Sequence, residues 1–285
     1  MMKSLIRFDW AMKRLLRNKA NFGILEGFLS ELLKEDIKIE NIIESESNKL
    51  NKYQKFNKVD LLVKNTNGEL IIIEVQNNRE HDYLLRILFG TSILLVNNMD
   101  EGMNYSEVKK IISVNIVYFE LGQGQDYIYH GTTNFTGINK KDTLKLSQDQ
   151  QLLYKTENVS KVYPEYYVIR VNQFDDIAKN TIDEWIYFLK NEDIKKGFKA
   201  KGIQQANEKL NILKLSESDR KEYERFIEQI RYEESLIVSN YQVGEIKGEK
   251  KGKTEVAKNA IKAGIPIEII VKITGLSIDE IENLK

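Results

Sequence analysis

The chain has 285 residues, 41% hydrophobic and 30% charged, enough for one large or two modest domains with long solvated helices beside the core. Its 43 basic residues balance 43 acidic ones, so any contact with nucleic acid has to use a local patch rather than the field of a polycation. The absence of cysteine excludes disulfides, thiolate catalysis and cysteine zinc sites, and His81 and His130 are too few for a histidine metal centre. No apolar run reaches the roughly 18 residues of a membrane span and no signal-peptide pattern opens the chain, so a soluble cytoplasmic protein is expected.

Residues 5–17 read as an amphipathic helix, with Leu5, Phe8, Trp10, Met12, Leu15 and Leu16 among Lys13, Arg14 and Arg17. Asp9 and Lys13 stand one turn apart, the spacing of a helix ion pair. Asn21 is placed to cap a second helix, in which Leu25, Phe28, Leu29, Leu32 and Leu33 form the apolar stripe. Glu26 lies beside that stripe, either reaching a site next to the core or simply solvated. Ile37 to Ile39 and Ile42 to Glu44 read as a short strand or linker leading toward Lys58.

The most informative stretch runs from Lys58 to Asn77, two β-branched and leucine-rich runs flanking Asn67-Gly68, a strong hairpin signal. Asp60, Glu74 and Gln76 interrupt those apolar runs, and a carboxylate inside Ile71-Ile72-Ile73-Glu74-Val75 is expensive to bury without a partner. Alternation puts Glu74 and Gln76 on one face. A two-residue loop leaves Asp60 on the opposite face. A three-residue loop, Thr66-Asn67-Gly68 with Gly68 left-handed, pairs Asp60 with Glu74 directly, and this register is the one expected. Two carboxylates side by side repel unless a cation lies between them, and such an oxygen-rich site suits magnesium or manganese. The bland alternative is a surface hairpin with a polar face toward water.

Residues 80–97 come next as a helix, with Tyr83, Leu84, Ile87, Leu88, Thr91 and Leu95 inward and Arg86 beside Asp82. Ile111 to Phe119 has the continuous apolar character of a central strand. Asp126–Phe135, Leu144–Leu146 and Tyr166–Val171 read as further strands, and Asp175–Lys190 as a helix. The order predicts a mixed α/β sheet flanked by helices over residues 1–195. Residues 196–243 form a charged helical extension. The last segment, 244–285, opens on Gly244, Gly248 and Gly252 and ends in two short helices around Gly275 that resemble a helix-turn-helix. Asp279, Glu280 and Glu282 on the second of these oppose phosphate, so the tail reads as structural or oligomerising rather than as a DNA reader.

Phe8-Asp9 with Lys13, Ile24-Leu25-Glu26-Gly27-Phe28-Leu29, Val59-Asp60-Leu61, Ile73-Glu74-Val75-Gln76-Asn77, Tyr83 and Arg86 occur in an order and spacing that carry a resemblance. So do Tyr105, Ile112 to Val117, and Glu184-Trp185 to Lys190. With these motifs, most of residues 1–190 resembles the Rpn-type recombination-promoting nuclease or transposase-like family of the PD-(D/E)XK nuclease superfamily. The glycine-spaced tail is similar to that family's variable C-terminal region. The resemblance implies a PD-(D/E)XK (restriction-endonuclease-like) fold with an α-helical C-terminal extension, and metal-dependent hydrolysis of DNA phosphodiesters linked to recombination or mobile elements. It implies Asp60 and Glu74 as ligands of Mg2+ or Mn2+, with the Val75 carbonyl as an extra ligand. The superfamily's usual lysine is replaced by Gln76, which carries no charge but has an amide to orient water or meet phosphate. Glu26 matches a helical acidic position that the superfamily often contributes. Arg86 reads as a phosphate clamp or as an ion pair with Asp82 or the site carboxylates. Contact with DNA is expected from Lys13, Arg14, Arg17 and Lys19 and from Lys140-Lys141, and homo-oligomer formation from the C-terminal helices. The competing function is a catalytically degenerate nuclease fold acting in DNA binding or oligomerisation.

Overall fold

The computed structural model describes residues 5–43, 60–99 and 102–284, so the expectations on Glu44, Lys58 and Val59 lie outside the described residues. Helices α1 (Phe8–Arg14) and α2 (Phe22–Leu33) come first, before strands β1 (Ile39–Ile42), β2 (Leu61–Asn65) and β3 (Leu70–Gln76). Helix α3 (Tyr83–Asn97) leads to β4 (Ile111–Val117), β5 (Ile128–Gly131), helix α4 (Gln148–Tyr154), β6 (Glu165–Arg170) and helix α5 (Thr181–Asn191). The described strands form one six-stranded sheet in the order β1-β2-β3-β4-β6-β5. Pairing is antiparallel from β1 to β3, parallel from β3 through β4 to β6, and antiparallel again between β6 and β5. This is the mixed sheet flanked by helices that the sequence predicts.

The centre of the sheet is the continuous apolar run. All seven residues of β4 are buried, including Asn115, whose amide is satisfied by Ser113 and the Tyr167 carbonyl. On one face Leu62, Leu70, Ile72 and Ile111 pack with Leu94 and Leu95 of α3. On the alternate positions Leu61, Val63, Ile71, Ile73 and Val75 are buried as well, so both faces of the hairpin are covered. The helical core is aromatic: Phe8, Phe28, Trp185 and Phe188 meet edge to face, with centroids 5.5–6.4 Å apart.

The compact unit continues past residue 195, where the sequence places the end of the domain. Helix α6 (Ile203–Lys209) packs on α2, the Leu210 carbonyl accepts from the Ile6 amide, and the unit runs to Tyr223. Helix α2 comes very near the chain at Gly27, where an added Cβ would run into the Lys201 carbonyl and stand 2.7 Å from the Gly202 Cα. Neither obstacle is a flexible side chain, so Gly27→Ala is expected to destabilise the unit by about 1–3 kcal/mol, read from the denaturant midpoint.

The second unit, Glu224–Lys285, holds most of α7 (Glu217–Lys262) with α8 (Ile267–Thr274) and α9 (Ile278–Glu282). Ala257, Ala260, Ile270, Leu276 and Ile281 form its core, with Gly275 at φ 71° in the turn and a Ser277–Glu280 capping box starting α9. Gly244, Gly248 and Gly252 are all helical and part of α7.

Four expectations need correction. Leu84 and Leu88 point outward, 55% and 52% exposed, because the buried stripe of α3 is Tyr83, Ile87 and Thr91. Leu144–Leu146 is no strand; a single bridge between Thr136 and Thr143 is the pairing found there, and α4 comes after it, begun by a Ser147–Gln150 capping box. Helix α5 starts at Thr181 rather than Asp175, since Asn180 and Asp183 cap it reciprocally. Asn21 precedes α2 as expected, yet its side chain donates to the Leu15 carbonyl instead of capping.

Candidate active site

The hairpin adopts the three-residue loop. Asn65 and Glu69 close it, Gly68 N–H donates to the Asn65 carbonyl at 2.9 Å, and Gly68 takes φ 82°, a conformation that costs an L side chain. The Asn65 side chain accepts from the amides of Asn67 and Glu69 and donates to the Glu69 carboxylate at 2.6 Å, so the turn is held from within. The ladder then pairs Lys64 with Leu70, Val63 with Ile71, Leu62 with Ile72 and Leu61 with Ile73. Extended by one residue, this register would bring Asp60 opposite Glu74, and the charge of Asp60 does reach the Glu74 carboxyl.

Asp60 stands in the bend before β2. Its Oδ2 accepts from the Val75 N–H at 2.9 Å, continuing with a side chain the row of bonds that the strand backbone makes up to Leu61. Lys13 of α1 approaches Asp60 Oδ1 to 3.3 Å, and Arg17 donates to the Asp60 carbonyl at 3.1 Å. Asp60 is therefore gripped between a strand and the segment of α1 and its following loop.

Glu74 is the anomaly. Its Oε2 is buried and has no hydrogen-bond partner among the described residues. Burial raises its carboxyl pKa to about 7; Arg86 opposes that rise, while the negative charges of Asp60 and Glu80 add to it. A buried acceptor left without a donor is costly, and a carboxylate facing another carboxylate more so. A divalent cation bound by both carboxylates would give Glu74 the partner it lacks and offset its repulsion with Asp60, so the donor set fits a hard metal taken by one or two carboxylates with water completing its shell. Among the described residues no group of three His, Cys, Asp or Glu side chains is assembled for a metal, which leaves this a two-carboxylate arrangement.

A family profile described as PD-(D/E)XK nuclease family transposase matches residues 6–240. The chain belongs to this family. Neither the curated proteins nor the solved structures contain a match to it. The match to the PD-(D/E)XK nuclease family transposases takes in the whole sheet and its flanking helices.

In this PD-(D/E)XK family member the other residues that the sequence points to are placed as follows from their contacts. Gln76 shares the Glu74 face, and its amide nitrogen donates to Glu80 at 2.8 Å and to the Asn78 carbonyl at 3.2 Å. Arg86 pairs with Glu80, through Nη1 at 2.7 and 2.9 Å, and not with Asp82; its guanidinium lies 6.0 Å from the centre of the Tyr83 ring. Glu26 is turned to β1, where Ile39 N–H at 2.9 Å and the Lys38 ammonium at 3.3 Å occupy its two oxygens.

Asp9 and Lys13 do not pair with each other. Asp9 is buried and held by Arg7 and by the Asn77 amide at 3.1 Å, which ties the end of β3 to the start of α1. Of the expected basic surface, Arg14 is paired with Glu222, and Lys13 and Arg17 are turned to Asp60. Two participants are not evident from sequence: Glu80, which looks like any loop glutamate, and Arg17, which reads only as part of a basic face. The available signal for Glu80 is its place four residues after Gln76 and six before Arg86.

Proposed function

We propose that the chain is a divalent-metal-dependent DNA endonuclease that hydrolyses phosphodiester bonds in recombination or mobile-element activity. Membership of a nuclease family supports the reaction class, and the observation that carries the metal site is the buried, unpartnered Glu74 Oε2 beside Asp60. Asp60 and Glu74 are the proposed ligands of Mg2+ or Mn2+. The Val75 carbonyl is a further candidate, being the backbone oxygen of the residue whose N–H already meets Asp60. A divalent ion held by these residues would supply a water of lowered pKa and positive charge to offset that on the phosphate.

The protein's own groups then have separate tasks. Val75 N–H keeps the Asp60 carboxylate in place, and Lys13 offers an ammonium at the rim of the site for a phosphate oxygen. Arg86 spends Nη1 on Glu80, leaving its other nitrogens for a phosphate. Glu26, engaged by β1, is assigned to positioning that strand rather than to the reacting atoms. No helix among the described residues is long and apolar enough to cross a membrane; DNA is the proposed partner and the cytoplasm the proposed setting. The C-terminal helices are the proposed route to a homo-oligomer. The test of the reading is nicking of supercoiled plasmid with Mg2+ or Mn2+ against EDTA: metal-dependent cutting is expected, and its absence at every metal concentration tried would overturn it.

A further inference from the structure

We propose that Glu80 is a positioning residue that locks Gln76 as an oxygen donor to the divalent cation, adding the Gln76 carboxamide oxygen to those of Asp60 and Glu74. This rests on the metal reading above and adds to it the orientation of a group that sequence leaves ambiguous. The Gln76 amide nitrogen has two hydrogens, and both are used, one on Glu80 Oε1 at 2.8 Å and one on the Asn78 carbonyl at 3.2 Å. Each of these partners is an acceptor with nothing to donate. Turning the amide over would set its oxygen against a carboxylate and a carbonyl and lose two hydrogen bonds at once. The orientation is therefore dictated by the chemistry of the partners, and what the side chain has left to offer is its oxygen.

Glu80 is itself fixed. Arg86 holds both of its oxygens, at 2.7 and 2.9 Å, and Arg86 lies against the ring of Tyr83, which is fully buried. A chain of contacts thus runs from a core tyrosine through arginine and glutamate to the glutamine. Gln76 comes two residues after Glu74 on a strand, so both side chains leave the same face. Where a lysine at this position would bring charge, this chain brings a lone pair. Three oxygens, from Asp60, Glu74 and Gln76, form a set suited to a hard cation. Glu80 acts behind them, as the outer partner that orients a ligand.

The test uses the full chain with Glu80→Ala and Glu80→Gln, read by Mn2+ titration calorimetry and by the side-chain amide signals of Gln76 in the metal-free protein. Glu80→Ala removes the acceptor and is expected to weaken Mn2+ binding about 10- to 100-fold, with the Gln76 amide signals moving to the position of a free carboxamide. Glu80→Gln keeps an acceptor oxygen for the same hydrogen while dropping the charge, and is expected to restore most of the affinity and the shifted signals. If Glu80→Gln binds Mn2+ as weakly as Glu80→Ala, Glu80 acts through its charge or as a ligand itself, and the proposal is overturned. Mn2+ binding by the wild type with Gln76 amide signals already at the free position overturns the orientation alone. No Mn2+ binding by the wild type, with those signals still shifted, overturns the metal reading and with it the role given to the oxygen.

Discussion

Glu74→Gln and Asp60→Asn are each expected to cut metal-dependent plasmid nicking by about 10²–10³-fold while leaving the far-ultraviolet spectrum of the chain unchanged. Both replacements keep the shape of the side chain and remove only its charge, which is what a divalent ion needs from a site with so few acids. The secondary structure has no reason to change. The amide oxygen that replaces the Asp60 carboxylate can still accept from the Val75 N–H. The amide that replaces the Glu74 carboxyl occupies the same place on β3, between the side chains of Ile72 and Gln76. The size of the loss separates two explanations. If the carboxylates only shaped the hairpin, their amides would serve equally well and nicking would survive. Metal-dependent cutting by both variants at the wild-type rate would remove this site from the chemistry.

The second large effect is on stability, and its sign comes from Glu74. An unfolded glutamate titrates near 4.5, whereas burial holds Glu74 in the folded chain near 7. The folded state therefore binds a proton more tightly than the unfolded one, and stability falls as pH rises from about 4.5 to about 7, with nothing further lost above that. The ionised carboxyl costs the metal-free fold up to roughly 3 kcal/mol at about pH 8. Glu74→Gln removes that cost, so in EDTA the variant is expected to melt above the wild type at about pH 8, with the gap closing toward about pH 5. Metal acts in the opposite sense. Mn2+ favours the ionised form, so its gain in wild-type melting temperature is expected to be larger at about pH 8 than at about pH 5, and to vanish in Glu74→Gln. A gap between wild type and variant that ignores pH would show that Glu74 is not the group strained by burial.

The hairpin is legible because its signals agree: a loop containing Asn67-Gly68, β-branched runs on either side, and polar residues whose pairing makes sense in only one register. Pairing the carboxylates across the strands requires the three-residue loop, and the observed pairing of Leu61 with Ile73 is that register. The central strand and the order of helices are legible for the same reason, as continuous apolar runs with clear stops.

Helix α3 is legible as a helix but not in its orientation. From Tyr83 to Asn97 its only charge is Arg86, so nothing in the sequence marks the outer face, and hydrophobicity alone points Leu84 and Leu88 inward. Asp9 and Lys13 show a different limit. Their spacing fits an ion pair, yet Asp9 is drawn to its near neighbour Arg7 and to Asn77, and Lys13 to Asp60; Asn77 and Asp60 are partners that depend on the tertiary fold. Glu80 shows the same limit more sharply, since its role exists only through contacts with Gln76 and Arg86. Local spacing predicts local partners, and these three acidic and basic groups took distant ones or partners across a turn.

The central claim is a cation gripped between Asp60 and Glu74. The measurement that tests it most directly is anomalous diffraction from crystals soaked in Mn2+. A single strong peak within about 2.0–2.3 Å of an oxygen from each of those carboxylates is the predicted result. A Mn2+ peak bound elsewhere on the chain, with Glu74 Oε2 still unpartnered, would contradict it.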